Sequence, residues 1–165
     1  MSISQALLGE FDHEMSTTHK VFEHFPEDKL TWKPHETSMS LAQLAGHIAE
    51  IPGWMTVIML QDGLDMDPSK YQPFLPKTRA EVLAKFADTV KNARAAILNA
   101  PDDTFLKPWS FSIMGKPNFT LPKIAALRGF VMNHLIHHRG QLTVYYRMNR
   151  VHVPSIYGPS GDEQG

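Results

Sequence analysis

Residues 122–149, PKIAALRGFVMNHLIHHRGQLTVYYRMN, form the longest helical pattern in the chain. Their apolar side chains recur at helical spacing: Ile124, Leu127, Val131, Leu135, Leu142 and Tyr145. Pro122 stands in the first turn, where a missing N–H costs little. The stretch therefore predicts one long amphipathic helix that packs its apolar face against a core.

Three further patterns of the same kind come earlier, at about residues 4–25, 40–60 and 78–99. Ser40 and Thr78 open the second and third with the spacing of a capping box, in which side chains satisfy free backbone N–H groups. Pro52 lies inside the second pattern, and because apolar residues continue beyond it, we expect a kink rather than an end. Four such helices predict an all-α fold, an antiparallel four-helix bundle.

The connections between these helices are long. Residues 61–77 contain one glycine and three prolines and predict a long loop. Residues 109–113 alternate apolar and polar side chains, so residues 102–121 are either a short hairpin before the last helix or an ordered loop. Long connections in a compact domain often cover a functional site.

The composition limits the class of protein. We expect residues 1–165 to form a single domain, because this length supports one sizeable core. The 16 Lys and Arg against 17 Asp and Glu disfavour a nucleic-acid partner, since phosphate binding needs a basic surface. We expect no membrane span and no signal peptide. The chain has no cysteine, and together these features predict a cytoplasmic protein without disulfides or thiolate ligands.

His134 and His138 lie four residues apart in the last helix, so they project from one face, one turn apart. Two imidazoles in this arrangement can bind one metal ion. The same face carries the apolar residues of the helix, which directs the pair toward the interior. The spacing alone leaves two interpretations open, a ligand pair or two core histidines hydrogen-bonded to neighbours.

His47 in the second helix is a candidate third ligand, and Gly46 beside it would let another backbone or a ligand come close. Helical bundles build metal sites from facing helices. Three neutral imidazoles leave an open position for water or substrate, as in catalytic sites. The metal would then activate water or polarise a substrate oxygen. A metal-free bundle with buried histidines is the remaining alternative.

Other polar residues are candidates for supporting roles. His137 points about 60–100° away from the pair in the helix repeat, so we interpret it as a supporting, interface or surface residue. For Arg139 and Gln141 a solvated or interfacial position is favoured over a role in orienting groups or meeting anions. Glu50 would be a fourth ligand or a general base, although a surface position is favoured. Asp12 could support a ligand imidazole by a hydrogen bond.

Several segments resemble the DinB/YfiT-like metalloenzyme superfamily, the DNA-damage-inducible DinB group. They are LTWKP at 30–34, LAGHIA at 44–49 with Trp54 seven residues after its histidine, HLIHHRGQL at 134–142, and the tail VPSIYGPS at 153–160. The resemblance covers nearly the whole chain. It implies a four-helix bundle in up-down-down-up order, with a metal on the histidines that match His47, His134 and His138. It also implies nickel or zinc, with iron or manganese as other candidates, and a homodimer.

The expected function is that of a metal-dependent enzyme acting on a small molecule, either a thiol-dependent S-transferase or a hydrolase. Relatives in the resembled family use a low-molecular-weight thiol, and a chain without cysteine would have to receive that thiol as a substrate. The alternative is a non-catalytic metal-binding or stress-associated bundle protein. The lack of an obvious general acid or base beside the histidines favours that alternative.

Overall fold

Long helices occupy the predicted positions in the structure, a computed structural model that describes residues 1–163. The first three helices are α1 (Ile3–Phe22), α2 (Leu41–Leu60) and α3 (Arg79–Leu98), and a short helix α4 (Asp102–Leu106) follows. The last helical stretch runs without a break through α5 (Lys123–Ala126), a π-helical turn (Leu127–Met132) and α6 (Asn133–Met148).

The starts of the second and third helices follow the predicted capping chemistry to different degrees. At Ser40 the capping box is complete, because its hydroxyl accepts from the Gln43 amide and the Gln43 side chain accepts from the Ser40 amide. Thr78 accepts from the Glu81 amide, but the Glu81 carboxylate accepts from the Lys77 amide instead. The second box is therefore only half formed.

Helix α2 continues through Pro52, as predicted. A proline ring disturbs the hydrogen bonds of the preceding helical turn. The buried Thr89 hydroxyl of α3 donates to the Ala49 carbonyl at 2.7 Å, which satisfies one acceptor in that turn. At the C-terminal end of α2, the buried Lys123 ammonium donates to the carbonyls of Met59 and Gln61 at 3.0 and 2.8 Å. A cation at a helix C-terminus interacts favourably with the helix dipole.

The prediction of an all-α, up-down-down-up four-helix bundle is wrong as a description of this fold. The molecule is rich in helix but also contains a three-stranded mixed sheet in the order β1-β2-β3. Its strands are β1 (Gly63–Met66), β2 (Pro108–Ile113) and β3 (Lys116–Pro122). Strand β1 is parallel to β2, and β2 is antiparallel to β3. The hairpin alternative for residues 102–121 is thus the correct one of the two.

Strand β1 escaped prediction because it is short and its partner is distant in sequence. Its four residues are too few for a periodic signal, and a parallel pair needs a long crossover connection. Gly63 pairs with Ser110, so the strand depends on a partner far along the chain. The hairpin turn between β2 and β3 has positive φ angles at Met114 (51°) and Gly115 (73°), the pattern of a tight type I′ turn.

The π-helical turn was also not predicted, since residues 122–149 were expected to form one regular helix. A π turn widens the helix locally and often lies beside a functional site. Here it ends at Met132, two residues before His134. Buried apolar side chains from the helices and the sheet form one cluster, and the single domain over 1–165 stays a prediction. In the part of the chain that the structure describes, no helix is long and apolar enough to cross a membrane.

Candidate metal centre

The three predicted histidines come together between α2 and α6. His47 lies on α2, and His134 and His138 lie one turn apart on α6. One ring nitrogen from each lies within 4.8 Å of the others. The Nε2 atoms of His47 and His134 are 3.2 Å apart, and the ring of His138 is centred 4.8 Å from that of His47 and 4.6 Å from that of His134.

This geometry fits a divalent transition metal. Nitrogens bound to one tetrahedral zinc ion at about 2.0–2.1 Å lie roughly 3.3 Å from each other, close to the 3.2 Å between His47 and His134. An all-imidazole donor set suits zinc, nickel, copper or iron, whereas manganese prefers oxygen ligands. The three residues could therefore hold a metal ion without a large change in their positions.

The surroundings favour the neutral, metal-binding form of each imidazole. Burial lowers the pKa of His47 to about 4, and the charges that His138 and His134 would carry lower it further. Burial also lowers the pKa of His134 and of His138. Because a metal ligand must be deprotonated, low pKa values leave the ring lone pairs available at neutral pH.

A hydrogen bond orients one of the imidazoles, and the Trp54 ring packs against the other two. Nδ1 of His138 lies 2.7 Å from Oε1 of Gln141, to which it can donate, and this leaves Nε2 free for a metal. The backbone of Phe130, in the π-helical turn, favours the protonated form of His134 and partly offsets the effect of burial on its pKa. The Trp54 ring lies against both His47 and His134, with centroids 5.7 and 5.3 Å away. Gln141 is exposed as predicted, yet it also orients a candidate ligand, a role that sequence reasoning did not favour.

The other predicted supporting residues lie elsewhere. Asp12 is an exposed partner of Arg94, with Oδ1 2.9 Å from Nε. Glu50 accepts hydrogen bonds from the Tyr71 hydroxyl at 2.8 Å and the Phe74 amide at 3.3 Å. His137 is exposed, and its ring lies 5.0 Å from that of His138, centroid to centroid. Within residues 1–163, the cluster of possible ligands consists of the three histidines alone.

Arg139 is not solvated, contrary to the favoured interpretation. Its side chain is 2% exposed and pairs with Glu14 of α1 at 2.7 Å. It also donates to the Thr18 hydroxyl at 3.2 Å and lies 2.7 Å from the Tyr157 hydroxyl, which in turn donates to Glu14. Arg139, which follows the candidate ligand His138, therefore connects α6 to α1 and to the C-terminal tail.

A cavity of about 740 Å³ opens beside His47. Residues 61–78 and the hairpin 108–122 form the wall that faces the helices. We call these two segments together the cover. Sequence reasoning missed this wall, although the alternation at 109–113 was a usable signal, since it places Phe111 and Ile113 on one face of β2 and both line the cavity.

Gly46 allows the cover to approach α2 next to His47. A Cβ at this position would overlap the carbonyl oxygen of Phe74 and lie 3.1 Å from Cδ of Pro76. The expectation that Gly46 lets another backbone come close is therefore confirmed. The same loop is held one turn further along α2, where Glu50 accepts from Tyr71 and Phe74.

The sequence segments that build this centre also match a known family. Residues 10–142 match the DinB superfamily. The chain belongs to this superfamily. It is 27% identical over 158 residues to the uncharacterized protein YrdA of Bacillus subtilis strain 168. The aligned region covers 94% of this chain and 89% of YrdA.

Two solved structures share the DinB fold of this chain. A DinB-like protein from Bacillus cereus ATCC 10987 is 19% identical and superposes with a TM-score of 0.70, covering 93% of this chain and 97% of the other. The DinB-like protein YjoA from Bacillus subtilis is 20% identical with a TM-score of 0.68, covering 96% and 98%. At this identity the likeness concerns the fold alone.

Proposed function

We propose that this DinB protein binds one divalent metal ion through His47, His134 and His138 and acts as a metal-dependent enzyme on a small molecule. The observation that carries the proposal is the convergence of three ring nitrogens within 4.8 Å at the edge of a 740 Å³ cavity. A closed structural site would fill its four positions with protein ligands, whereas three histidines leave one position open. The ion would be nickel or zinc, which imidazole ligands suit.

The metal would supply Lewis acidity to a bound water, thiol or substrate oxygen. The chain's own residues position the site around it. Gln141 orients the His138 imidazole, and the Trp54 ring packs against His47 and His134. At the cavity wall, burial and the Glu50 carboxylate raise the pKa of Tyr71 to about 12, so its hydroxyl stays protonated and donates to Glu50.

For the reaction, we propose either transfer of a low-molecular-weight thiol to an electrophile or hydrolysis. The chain has no cysteine, so a thiol would enter as a substrate. A non-catalytic metal-binding or stress-associated role is the alternative. It is favoured by the composition of the cluster, because no carboxylate joins the three histidines among the described residues, and Glu50 is already bonded to Tyr71 and Phe74.

Metal analysis of the purified protein tests the site. We expect one equivalent of metal in the wild type, lost in His47→Ala and in His138→Ala. His137→Ala is the matched control, because His137 is an exposed histidine on the same helix. Each ligand deletion should weaken zinc binding at least about 100-fold, more than a change outside the first coordination sphere does. Equal metal content in all four proteins would refute the proposed ligand set.

Two measurements separate the enzyme from the non-catalytic alternative. Metal-loaded protein should turn over at least one member of a panel of electrophiles, with and without added thiol, and His138→Ala should not. If the role is structural instead, a chelator should lower the melting temperature strongly while no turnover is found, since metal bound only to the folded state stabilises it.

A further inference from the structure

The cavity beside the three histidines has a largely apolar wall drawn from two parts of the fold. Six of its lining side chains are apolar: Trp54, Leu64, Met66, Phe111, Ile113 and Phe130. Trp54 and Phe130 come from the helices, and the other four come from the cover. Ligand cavities with such walls take up apolar bodies and use a few polar groups for orientation.

The aromatic part of this wall begins at the candidate metal ligands. Trp54, whose ring contacts both His47 and His134, stacks on Phe130 with centroids 5.2 Å apart and planes 22° apart. Phe130 then meets Phe111 of β2 at 5.1 Å. A flat ring placed in the cavity would therefore find aromatic faces and edges from the histidines outward to the sheet. Aromatic pairs gain stacking or edge-to-face energy beyond the burial of area.

The charged side chains of the cavity already have partners. The Asp65 carboxylate accepts from the Gly115 amide at 3.0 and 3.1 Å. Asp67 accepts from the Ser69 amide and hydroxyl at 3.0 and 2.6 Å and pairs with Lys70 at 3.3 Å. Lys70, the one cation among the lining residues, is thus engaged. The charged groups of the wall thus leave a charged substrate body no unpaired ionic partner, so the wall favours an uncharged body.

We propose that the substrate has a flat, uncharged aromatic body that lies against Phe130 and Phe111 and directs its reactive end toward His47. The proposal rests on the metal-dependent function proposed above and names its substrate class. Phe130 is the specificity-determining residue, because its ring contacts both Trp54 beside the histidines and Phe111 on the cover.

Two small metal-binding probes test this preference. Benzohydroxamic and acetohydroxamic acid share the hydroxamate that binds zinc and differ in a phenyl ring. In calorimetric titrations of zinc-loaded protein, we expect benzohydroxamic acid to bind at least about tenfold more tightly, the effect of burying a ring. In Phe130→Leu, which keeps an apolar side chain, this ratio should fall about threefold or more.

Phe119→Ala is the matched control. Phe119 belongs to the same aromatic cluster, 5.4 Å from Phe130, but it is not one of the residues that line the cavity. Its variant should keep the wild-type ratio. A wild-type ratio near one, or an equal fall in both variants, would overturn the aromatic preference while leaving the metal site intact.

Failure of the proposed function has a different signature, in which the protein takes up no zinc or neither hydroxamate binds. The neutral fluorescent probe N-phenyl-1-naphthylamine, which needs no metal, then tests the cavity itself. Its fluorescence should rise with the wild type and with Phe119→Ala, and this rise should be lost in Ile113→Asp, which places a charge in the wall. No rise with the wild type would overturn the inference.

Discussion

The helices that carry the three histidines and the cover that faces them hold their side chains in different ways. On the helical side, Arg139 beside His138 is 2% exposed and locked in an ion pair with Glu14. On the cover, Trp109 and Phe111 are buried, but residues 67–77 are mostly exposed, with Tyr71 at 46%. This loop meets α2 through the Phe74 amide and carbonyl and through the Tyr71 hydroxyl.

This difference suggests a division of roles. The groups that could carry chemistry lie on packed helices, where few rotamers are available and positions are well defined. Part of the cavity wall lies on residues 67–77, which are mostly exposed, and segments with few buried contacts open more easily. Damage to the helical side should therefore affect the whole fold, whereas damage to residues 67–77 should stay local.

The largest expected effect is on the helical side, in Arg139→Leu. This change leaves the Glu14 carboxylate buried without its cation, and breaking a buried ion pair typically costs about 3–5 kcal/mol. Denaturant unfolding should show this loss of unfolding free energy. Arg147→Leu is the matched control on the same helix, because Arg147 and Asp162 form an exposed pair worth about 1 kcal/mol or less. Equal losses in the two variants would contradict the assigned role of Arg139.

A smaller and more local effect is expected at the junction of the two regions, in Gly46→Ala. The added methyl group must displace the Phe74 carbonyl, and overpacking of this kind costs about 1–3 kcal/mol. Limited proteolysis should show faster cleavage within residues 67–77, while the protein keeps its metal content, because the candidate ligands come from the helices.

Gly140→Ala controls for the change of residue type. A Cβ at Gly140 meets no atom within 4 Å, so this variant should be neutral or gain up to about 1 kcal/mol from helix propensity. If both glycine variants leave cleavage in the cover unchanged, the close approach at Gly46 does not hold the cover in place.

The helical side could be predicted from the sequence because its determinants are local. The separation of His134 and His138 by four residues fixes their common face, and the serine at position 40 fixes the start of α2. The contact of Gln141 with His138 could have been predicted by the same argument, because the two residues lie three apart on one helix. The convergence of the histidines was therefore foreseeable, and metal binding by them stays a prediction.

The cover could not be predicted in the same way, because distant partners determine it. The pairing of β1 with β2 joins Gly63 to Ser110, and a run of four residues carries no periodic signal of its own. The burial of Arg139 depends on Glu14 and Tyr157, which lie far away in sequence. The π-helical turn before His134 likewise has no distinctive pattern in residues 127–132 that separates it from a regular helix.

A third test concerns how well the helical side holds its candidate ligands. Gln141→Ala removes the acceptor that orients His138. Loss of such an outer hydrogen bond typically weakens metal binding at least about tenfold, while the metal-free protein should keep its stability within about 0.5 kcal/mol. Competition with a chromogenic chelator measures the affinity. Val144→Ala, at an exposed position of the same helix, should leave it unchanged.

The smallest expected effect is a response of the cover to alkaline pH. The pKa of Tyr71 is raised to about 12 by burial and by its hydrogen bond to Glu50. A group whose pKa is raised by folding adds stability that is fully present below its unfolded value, near 10, and is lost as the pH rises through the folded value. Between about pH 10 and 12 this contribution should therefore decline, and near pH 12 the Tyr71 hydroxyl loses the proton that it donates to Glu50, so the cover should loosen before the helices unfold.

Tyrosinate absorbance and limited proteolysis over this range measure the two events. In the wild type, cleavage within residues 67–77 should increase as Tyr71 ionises near pH 12, while helical circular dichroism stays constant. Tyr71→Phe lacks the hydroxyl and should show the faster cleavage already at pH 8, with no further pH dependence from this residue. If cleavage in the variant at pH 8 matches that of the wild type, the bond to Glu50 does not hold the cover, and the packing around Gly46 is its main attachment to α2.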